Sequence, residues 1–467
     1  MHCGDVRTYF ASNQSLLRYH RTGAKCLSSS LIPRCHGLVL HDCHAEILAI
    51  RAFNFWVMNE CLSVVRREQQ AAANGNLRTL SPFIRRRPRN LLSNGAGPPF
   101  EICPDIKVYM YCTCAPCGDA SMELCMAAQE DATPWAVKSK SDDIPAADRL
   151  LDGRGYFSIL GVVRRKPSRA DAESTLSKSC SDKLALRQVT SLLSYPTSIL
   201  VAPTENAYLS GLILPEEEIS QIACDRAFGP RGRMRELVSR QWKMDQEEDA
   251  STQYGYQFRP FEILSVATEI VQSLWPYGKP RPEISSPLNQ LERIRSKPGN
   301  ISAVWIASSS SQGPFQFSSS TSNRDKLQLS SDTTAVIEAI INGVKQGNKA
   351  SSVTPRGASV LSRAKMWNTL LDVIESSDDL WGASTECEWS WRRVVNESQT
   401  YENFKRPSQN TMDMLSMSWL RIRMEAMEAV KRVLRPWIPN RGDEDWNRVD
   451  VLTDVKSKTN GYRFEKS

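Results

Sequence analysis

The sequence predicts a mixed α/β fold, a sheet flanked by helices with a largely helical C-terminal half in the same domain. A strand followed by a helix occurs twice, over Gly37–Val57 and again over Lys107–Ala128. Apolar segments at Ser198–Val201, Tyr208–Leu214 and Ile301–Ala307 have the length of strands that would extend a sheet. Leu415–Leu434 is rich in Met, Leu, Glu and Arg, a composition that favours a long helix.

In chain order, Gly37–His41 reads as a short buried strand. Ala45–Val57 then places Ile47, Leu48, Ile50, Phe53 and Trp56 at helical rather than alternating spacing. A polar connection containing Arg and Gly runs from Gln69 to Pro104. Lys107–Thr113 alternates as a strand does, and Cys117–Ala128 reads as a helix. Ser308–Ser311 and Ser318–Ser322 flank Gly313-Pro314, a composition without core-forming capacity. Loop insertions are therefore expected near 69–104 and 308–325. No repeat or clear boundary divides the chain, so 1–467 is read as a single domain.

The hydrophobic fraction of 41% and charged fraction of 24% are near globular averages and exclude a predominantly disordered or fibrous chain. A net charge of +7 favours an anionic partner. The excess is clustered, in Arg85, Arg86, Arg87 and Arg89, and in Arg226, Arg231, Arg233, Arg235 and Arg240 with Lys243 beyond. No run approaches the roughly eighteen apolar residues of a membrane span, and the opening residues lack a signal-peptide layout. A cytoplasmic or nuclear protein without membrane association is expected. In that setting 13 irregularly spaced cysteines point to buried thiols or metal ligands rather than disulfides.

His44-Ala45-Glu46 at a helix start puts an imidazole and a carboxylate one residue apart. The imidazole can hold a metal while the carboxylate faces the water bound to it. Pro116-Cys117-Gly118-Asp119 supplies a thiolate. Nucleobase deaminases pair H-x-E with P-C-x-x-C, and here the second half is broken, because Ala120 stands three residues after Cys117. A catalytic zinc still needs three protein ligands. Cys114 forms a C-x-x-C with Cys117, but no second pair accompanies it and it would lie at a strand end. Cys180, in Ser179-Cys180-Ser181-Asp182-Lys183-Leu184, is the better candidate.

Together these three blocks resemble the metal-site blocks of the RNA adenosine deaminases, a family of double-stranded-RNA editing enzymes and eukaryotic tRNA-specific deaminases. The resemblance runs from about Thr22 to the C-terminal tail. It implies a deaminase-type core with zinc at two helix N-termini, held by His44, Cys117 and Cys180, and Glu46 as proton shuttle. Zinc makes water nucleophilic near neutral pH, and the carboxylate carries a proton from that water to the departing ammonia, turning adenosine into inosine.

The resemblance also implies inositol hexakisphosphate buried beneath the metal site, bound through Arg51, Lys183, Lys345, Tyr401, Lys405, Trp437 and Asp445. Asp42 and Lys166, with Lys183, look like a polar relay from that ligand to the metal. Ile50 and Leu186 depart from the family pattern of arginines, with Arg187, Arg421 and Arg423 as possible substitutes. Lys25, in Thr22-Gly23-Ala24-Lys25-Cys26, belongs to a substrate-side motif. The run containing Arg231, Arg233 and Arg235 resembles fungal tRNA deaminases and is expected to contact RNA. With about forty residues ahead of His44, no separate RNA-binding module is expected in this sequence. The expected substrate is therefore tRNA, at the adenosine beside the anticodon, with no obligate protein partner implied. The alternatives are another structured RNA, or a non-catalytic RNA-binding protein with a structural zinc; Glu46 argues against the last, since a structural site has no use for it.

Overall fold

The computed structural model describes residues 5–11, 15–74, 81–88, 97–127, 151–152, 159–166, 173–243, 255–274, 299–307, 335–376, 380, 394–396, 398–408 and 418–453. Its strands, in chain order, are β1 (Asp5–Ala11), β2 (Ser15–Thr22), β3 (Ile84–Arg86), β4 (Phe100–Ile102), β5 (Lys107–Cys112), β6 (Leu151–Asp152), β7 (Arg164–Arg165), β8 (Leu209–Pro215), β9 (Gln241–Lys243), β10 (Gly255–Gln257), β11 (Glu262–Val266), β12 (Ile301–Ile306), β13 (Val336–Ile341) and β14 (Val344–Lys345). The helices are α1 (Ala45–Asn74), α2 (Met122–Ala127), α3 (Cys180–Thr190), α4 (Tyr195–Leu200), α5 (Gln221–Phe228), α6 (Thr268–Leu274), α7 (Arg363–Glu375), α8 (Tyr401–Lys405), α9 (Ser418–Val433) and α10 (Arg448–Leu452).

Eight strands form one sheet in the order β11-β8-β5-β1-β2-β12-β13-β14. β5, β8 and β11 run parallel, and the other neighbours are antiparallel. The local sequences explain the difference in cover. β8 is apolar almost throughout, as a strand covered on both faces must be, whereas β5 buries alternate residues Val108, Met110 and Cys112. α1 packs on β1, β2 and α7, and its Leu48, Phe53, Trp56 and Val57 are fully buried. Burying each such side chain stabilises the fold by roughly 1.5–3 kcal/mol. By length and composition α1 would also pass for a membrane span, but 67% of its most apolar window is buried inside the protein. α3 packs against α5 and α9, so the C-terminal segment covers the helix that opens with Cys180.

Several expectations are corrected. Gly37–His41 is a buried succession of turns, not a strand: His36 and Gly37 have φ of 45° and 70°, and Leu38 N–H bonds back to Cys35. The apolar triplet Leu38-Val39-Leu40 is buried all the same, which is why it reads as a strand. Ser198–Val201 lies in α4 and its end. Pro196 in the first turn fixes φ for a helix start, and Ser198 N–H reaches Ser194 at 2.8 Å. Cys117 stands ahead of a 3-10 turn at Asp119–Ser121 and not on a helix. Among the described residues the second half holds the strands β9–β14 beside the helices α6–α10. The 69–104 connection includes the end of α1 and the β3–β4 pair, while 308–325 lies outside the described residues.

Candidate functional site

Three elements bring the metal-type side chains together. His44 immediately precedes α1, and its N–H donates to Asp42 Oδ1 at 3.0 Å. Cys180 opens α3 behind Ser179, whose hydroxyl accepts from Asp182 N–H at 3.1 Å and caps the helix. Cys117 lies in the bend after β5. There Gly118 has φ 105°, and a Cβ would stand 2.2 Å from Ser179 Oγ, so only glycine lets the two cysteine segments meet. Ser181 stitches them further, its N–H donating to Cys117 O at 3.0 Å and its hydroxyl accepting from Ala120 N–H at 3.1 Å.

His44 Nδ1 lies 3.8 Å from Cys117 Sγ and 3.7 Å from Cys180 Sγ, and all three donor atoms fall within 4.8 Å of one another. Tetrahedral zinc with ordinary bond lengths sets such N···S separations at about 3.6 Å, so this donor set fits that ion. Among the described residues the metal-type group containing Cys117 includes Cys180 and not Cys114. Glu46, on the first turn of α1, is 8% exposed. Burial, then the neighbouring Cys117 thiolate, raises its carboxyl above the ordinary range. Hydrogen bonding from Cys180 holds the Cys117 thiol well below its usual value, while burial and Cys117 push Cys180 up.

Beside this group lies a buried polar network. Lys166 Nζ bonds Asp42 Oδ2 at 3.0 Å and Cys180 Sγ at 3.2 Å. Lys183 Nζ donates to Asp42 Oδ2 and, at 2.7 Å, to Ser177 Oγ, which in turn donates to Asp42 at 2.6 Å. Burial alone would raise the Asp42 carboxyl, yet Lys166 and Lys183 hold it well below the usual range. Burial likewise opposes the charge on Lys166, and Asp42 with the two thiols more than restores it.

A second feature is a collection of cations, Arg423 buried and most of the others part-buried, that depress one another. Burial and then Arg363 bring Arg51 down to about 10, burial and Arg423 bring Arg187 down to about 9, and burial with Arg363 and Arg406 brings Lys405 down to about 8. Lys431 is lowered by burial, Arg406 and Arg423. Arg423 Nε and Tyr195 Oη are buried without a protein partner. Mutually repelling, largely part-buried cations together with buried unsatisfied donors fit a polyanion, which would pair several at once.

Of the residues expected to hold such a ligand, Arg51, Tyr401 and Lys405 lie in this cluster. Lys183 is engaged by Asp42, and Trp437 packs under Lys178 at 5.6 Å. Lys345 instead pairs with Glu338 at 3.3 Å, and Asp445 is exposed. Arg187 and Arg423 join the cluster; Arg421 is about half exposed beside Glu425. Arg363 and Lys431 were not foreseen, because nothing local marks a cation on a helix as part-buried; Arg406, which also acts on Lys405, is exposed beside Glu402. Lys25 is half-buried, and its carbonyl accepts Cys43 N–H at 2.9 Å, placing that motif against the His44 segment. Arg231 and Arg235 are exposed, but Arg233 is buried in an ion pair with Asp182 at 2.6 Å. Arg85, Arg86 and Arg87 pair with Glu101, Glu68 and Glu101; Arg89 lies outside the described residues.

Residues 21–421 match the adenosine-deaminase (editase) domain family. The chain is 29% identical to the tRNA-specific adenosine deaminase 1 of Schizosaccharomyces pombe over 427 residues, 91% of this chain and 82% of that protein. It is 34% identical to the Saccharomyces cerevisiae protein of the same name over 177 residues, 37% of this chain and 40% of the other. A double-stranded RNA-specific editase B2 of Mus musculus is 26% identical over 195 residues, 41% of this chain and 24% of the editase.

Proposed function

The chain belongs to the adenosine-deaminase (editase) domain family, and from that premise we propose that it deaminates adenosine to inosine in tRNA, with zinc held by His44, Cys117 and Cys180. One observation carries the reading: a buried carboxylate with a raised pKa, Glu46, sits two residues from the imidazole of a three-donor metal group whose separations suit zinc.

Zinc at these donors supplies the Lewis acidity that makes water nucleophilic near neutral pH. Glu46 takes the proton released by the attacking water and delivers it to the leaving amine. A buried carboxylate in the first turn of α1 and two residues from the imidazole is placed for both transfers. Lys166, bonded to Asp42 and Cys180 at once, holds the cysteine segment against the His44 segment and offsets thiolate charge. An adenosine beside the anticodon fits the chemistry, because a loop base is unstacked at low cost before its amine-bearing carbon can be reached. Arg231 and Arg235, both exposed, are available to tRNA phosphates, and Lys25 adjoins the His44 segment through its carbonyl bond from Cys43 N–H.

Inositol hexakisphosphate is the polyanion proposed for the cation cluster, held by Arg51, Arg187, Lys405, Arg423 and Lys431, with Tyr195 as a further donor. A sheet that takes strands from residue 5 to residue 345 supports reading 1–467 as one deaminase domain. The test is nucleoside mass analysis of purified tRNA incubated with the protein. Inosine should accumulate with the parent and not with Glu46→Gln; tRNA free of inosine after incubation with zinc-loaded parent would refute the function.

A further inference from the structure

Each cysteine of the metal group is followed two residues later by a buried aspartate, in Cys117-Gly118-Asp119 and Cys180-Ser181-Asp182. Both aspartates are gripped by arginines from one eight-residue stretch, 226–233. We infer that Arg226 and Arg233 form a clamp that fixes the spacing of the two thiolate-bearing segments, so that they are positioning residues for the metal centre and not RNA contacts. The inference rests on the reading that His44, Cys117 and Cys180 hold zinc.

The arms of the clamp are well defined. Arg226, in the last turn of α5, donates through Nε to Asp119 Oδ1 at 3.0 Å and through Nη2 to Asp119 O at 2.9 Å and Glu123 Oε2 at 2.9 Å. Arg233 donates through Nη1 to Asp182 Oδ1 at 2.6 Å and is anchored by Nε on Ala227 O at 3.1 Å. Arg233 N–H also reaches Arg226 O at 3.0 Å, so the two arms are tied back to back. The sequence permits this because Gly232 has no Cβ. A side chain there would stand 2.3 Å from the carbonyl oxygens of Asp225 and Arg226, and the turn could not fold back on α5.

Asp182 does more than receive Arg233. Its Oδ2 accepts from Ser179 Oγ at 2.6 Å, on the residue before Cys180, and from Arg164 N–H at 3.0 Å. Arg164 is fully buried and feels both Asp119 and Asp182. Two residues further on is Lys166, which bonds Cys180 Sγ. Three arginines, 164, 226 and 233, thus balance Asp119, Glu123 and Asp182 behind the metal group. Removing one buried partner leaves its mate uncompensated, and the displacement falls on a residue two positions from a ligand.

The test uses the full chain, with zinc affinity from chelator competition and the absorption bands of the cobalt-substituted protein, which report ligand geometry. Arg226→Ala and Arg233→Ala should each weaken zinc binding by about 10- to 100-fold and shift the cobalt bands. Arg231→Ala and Arg235→Ala, on the same turn but exposed, should change neither. Parental affinity and an unshifted spectrum in folded Arg226→Ala and Arg233→Ala overturn the clamp. If Arg233→Ala does not fold, Arg226→Ala, whose partly exposed side chain is better tolerated, decides by the same criterion. Cys180→Ala separates the two levels. Should it bind zinc as the parent does, the metal assignment fails and the clamp with it; should it lose zinc while the arginine variants keep it, only the clamp fails.

Discussion

His41 Nε2 lies 2.9 Å from Asp443 Oδ2, joining the residue before the buried Asp42 to a carboxylate close to the C-terminal limit of the described chain. Asp443 is fully used: Gly37 N–H donates to its Oδ1 at 2.7 Å and Arg363 to its Oδ2 at 3.3 Å. The segment after α9 therefore holds the turn that leads into His44. Asp443→Asn keeps the shape but leaves Arg363 without its buried anion. It should lower unfolding free energy by about 3 kcal/mol in urea titration, as loss of one partner from a buried pair does. A variant as stable as the parent would mean the pair is dispensable.

Glu46→Gln should give folded protein with parental zinc content and a kcat lower by about 10²–10⁴-fold, since an amide fills the space of the carboxyl but carries no proton. Inosine formation near the parental rate would remove Glu46 from the mechanism.

Cys180→Ala should lose the metal, and Cys114→Ala should retain it, in elemental analysis of the purified variants. The geometry separates these two cysteines, with Cys180 Sγ 3.7 Å from His44 Nδ1 and Cys114 absent from that donor group.

The residues of this candidate site were legible because each is announced by its immediate neighbours: His44 and Glu46 by their spacing at a helix start, Cys180 by the polar block around it. What the sequence concealed depends on partners far along the chain. Arg233 reads as one more surface cation until Asp182 is found beside it, and Arg363 carries no local sign that Arg51 and Lys405 lie near. Short apolar runs misled for a related reason, since Leu38–Leu40 and Ile199–Val201 are buried whether they turn, coil or extend. Burial shapes the composition, and the backbone form is then settled by features such as Pro196 and the positive φ of Gly37.

In the absence of a polyanion, the protein should gain stability as pH rises from 8 to 9. Burial first, then Arg363 and Arg406, bring Lys405 to about 8, below its ordinary 10.5. In that interval the unfolded chain binds more protons than the folded one, so raising pH favours the fold. Lys405→Met should reduce the slope, and added inositol hexakisphosphate should stabilise the parent by binding only the native state. Denaturant midpoints at several pH values, with and without the ligand, measure both effects. A flat profile in the stripped parent would show that Lys405 is not held as a strained cation.

Replacing Arg231 and Arg235 together by Ala should weaken tRNA binding and flatten its salt dependence. Both side chains are exposed on the turn whose Arg226 and Arg233 are consumed by internal pairs. Each phosphate contact releases condensed counterions, so log K falls with log salt by about 0.7–0.9 per contact. Loss of two contacts should therefore reduce the slope by roughly 1.5, with affinity falling most at low ionic strength. Zinc content should not change, because neither side chain enters the ion pairs behind Cys117 and Cys180. Binding titrations of one purified tRNA over a range of salt concentrations decide the matter. A slope equal to that of the parent would return Arg231 and Arg235 to the solvated surface and direct the search for the tRNA interface to the other exposed cations, Arg240 and Lys243 first.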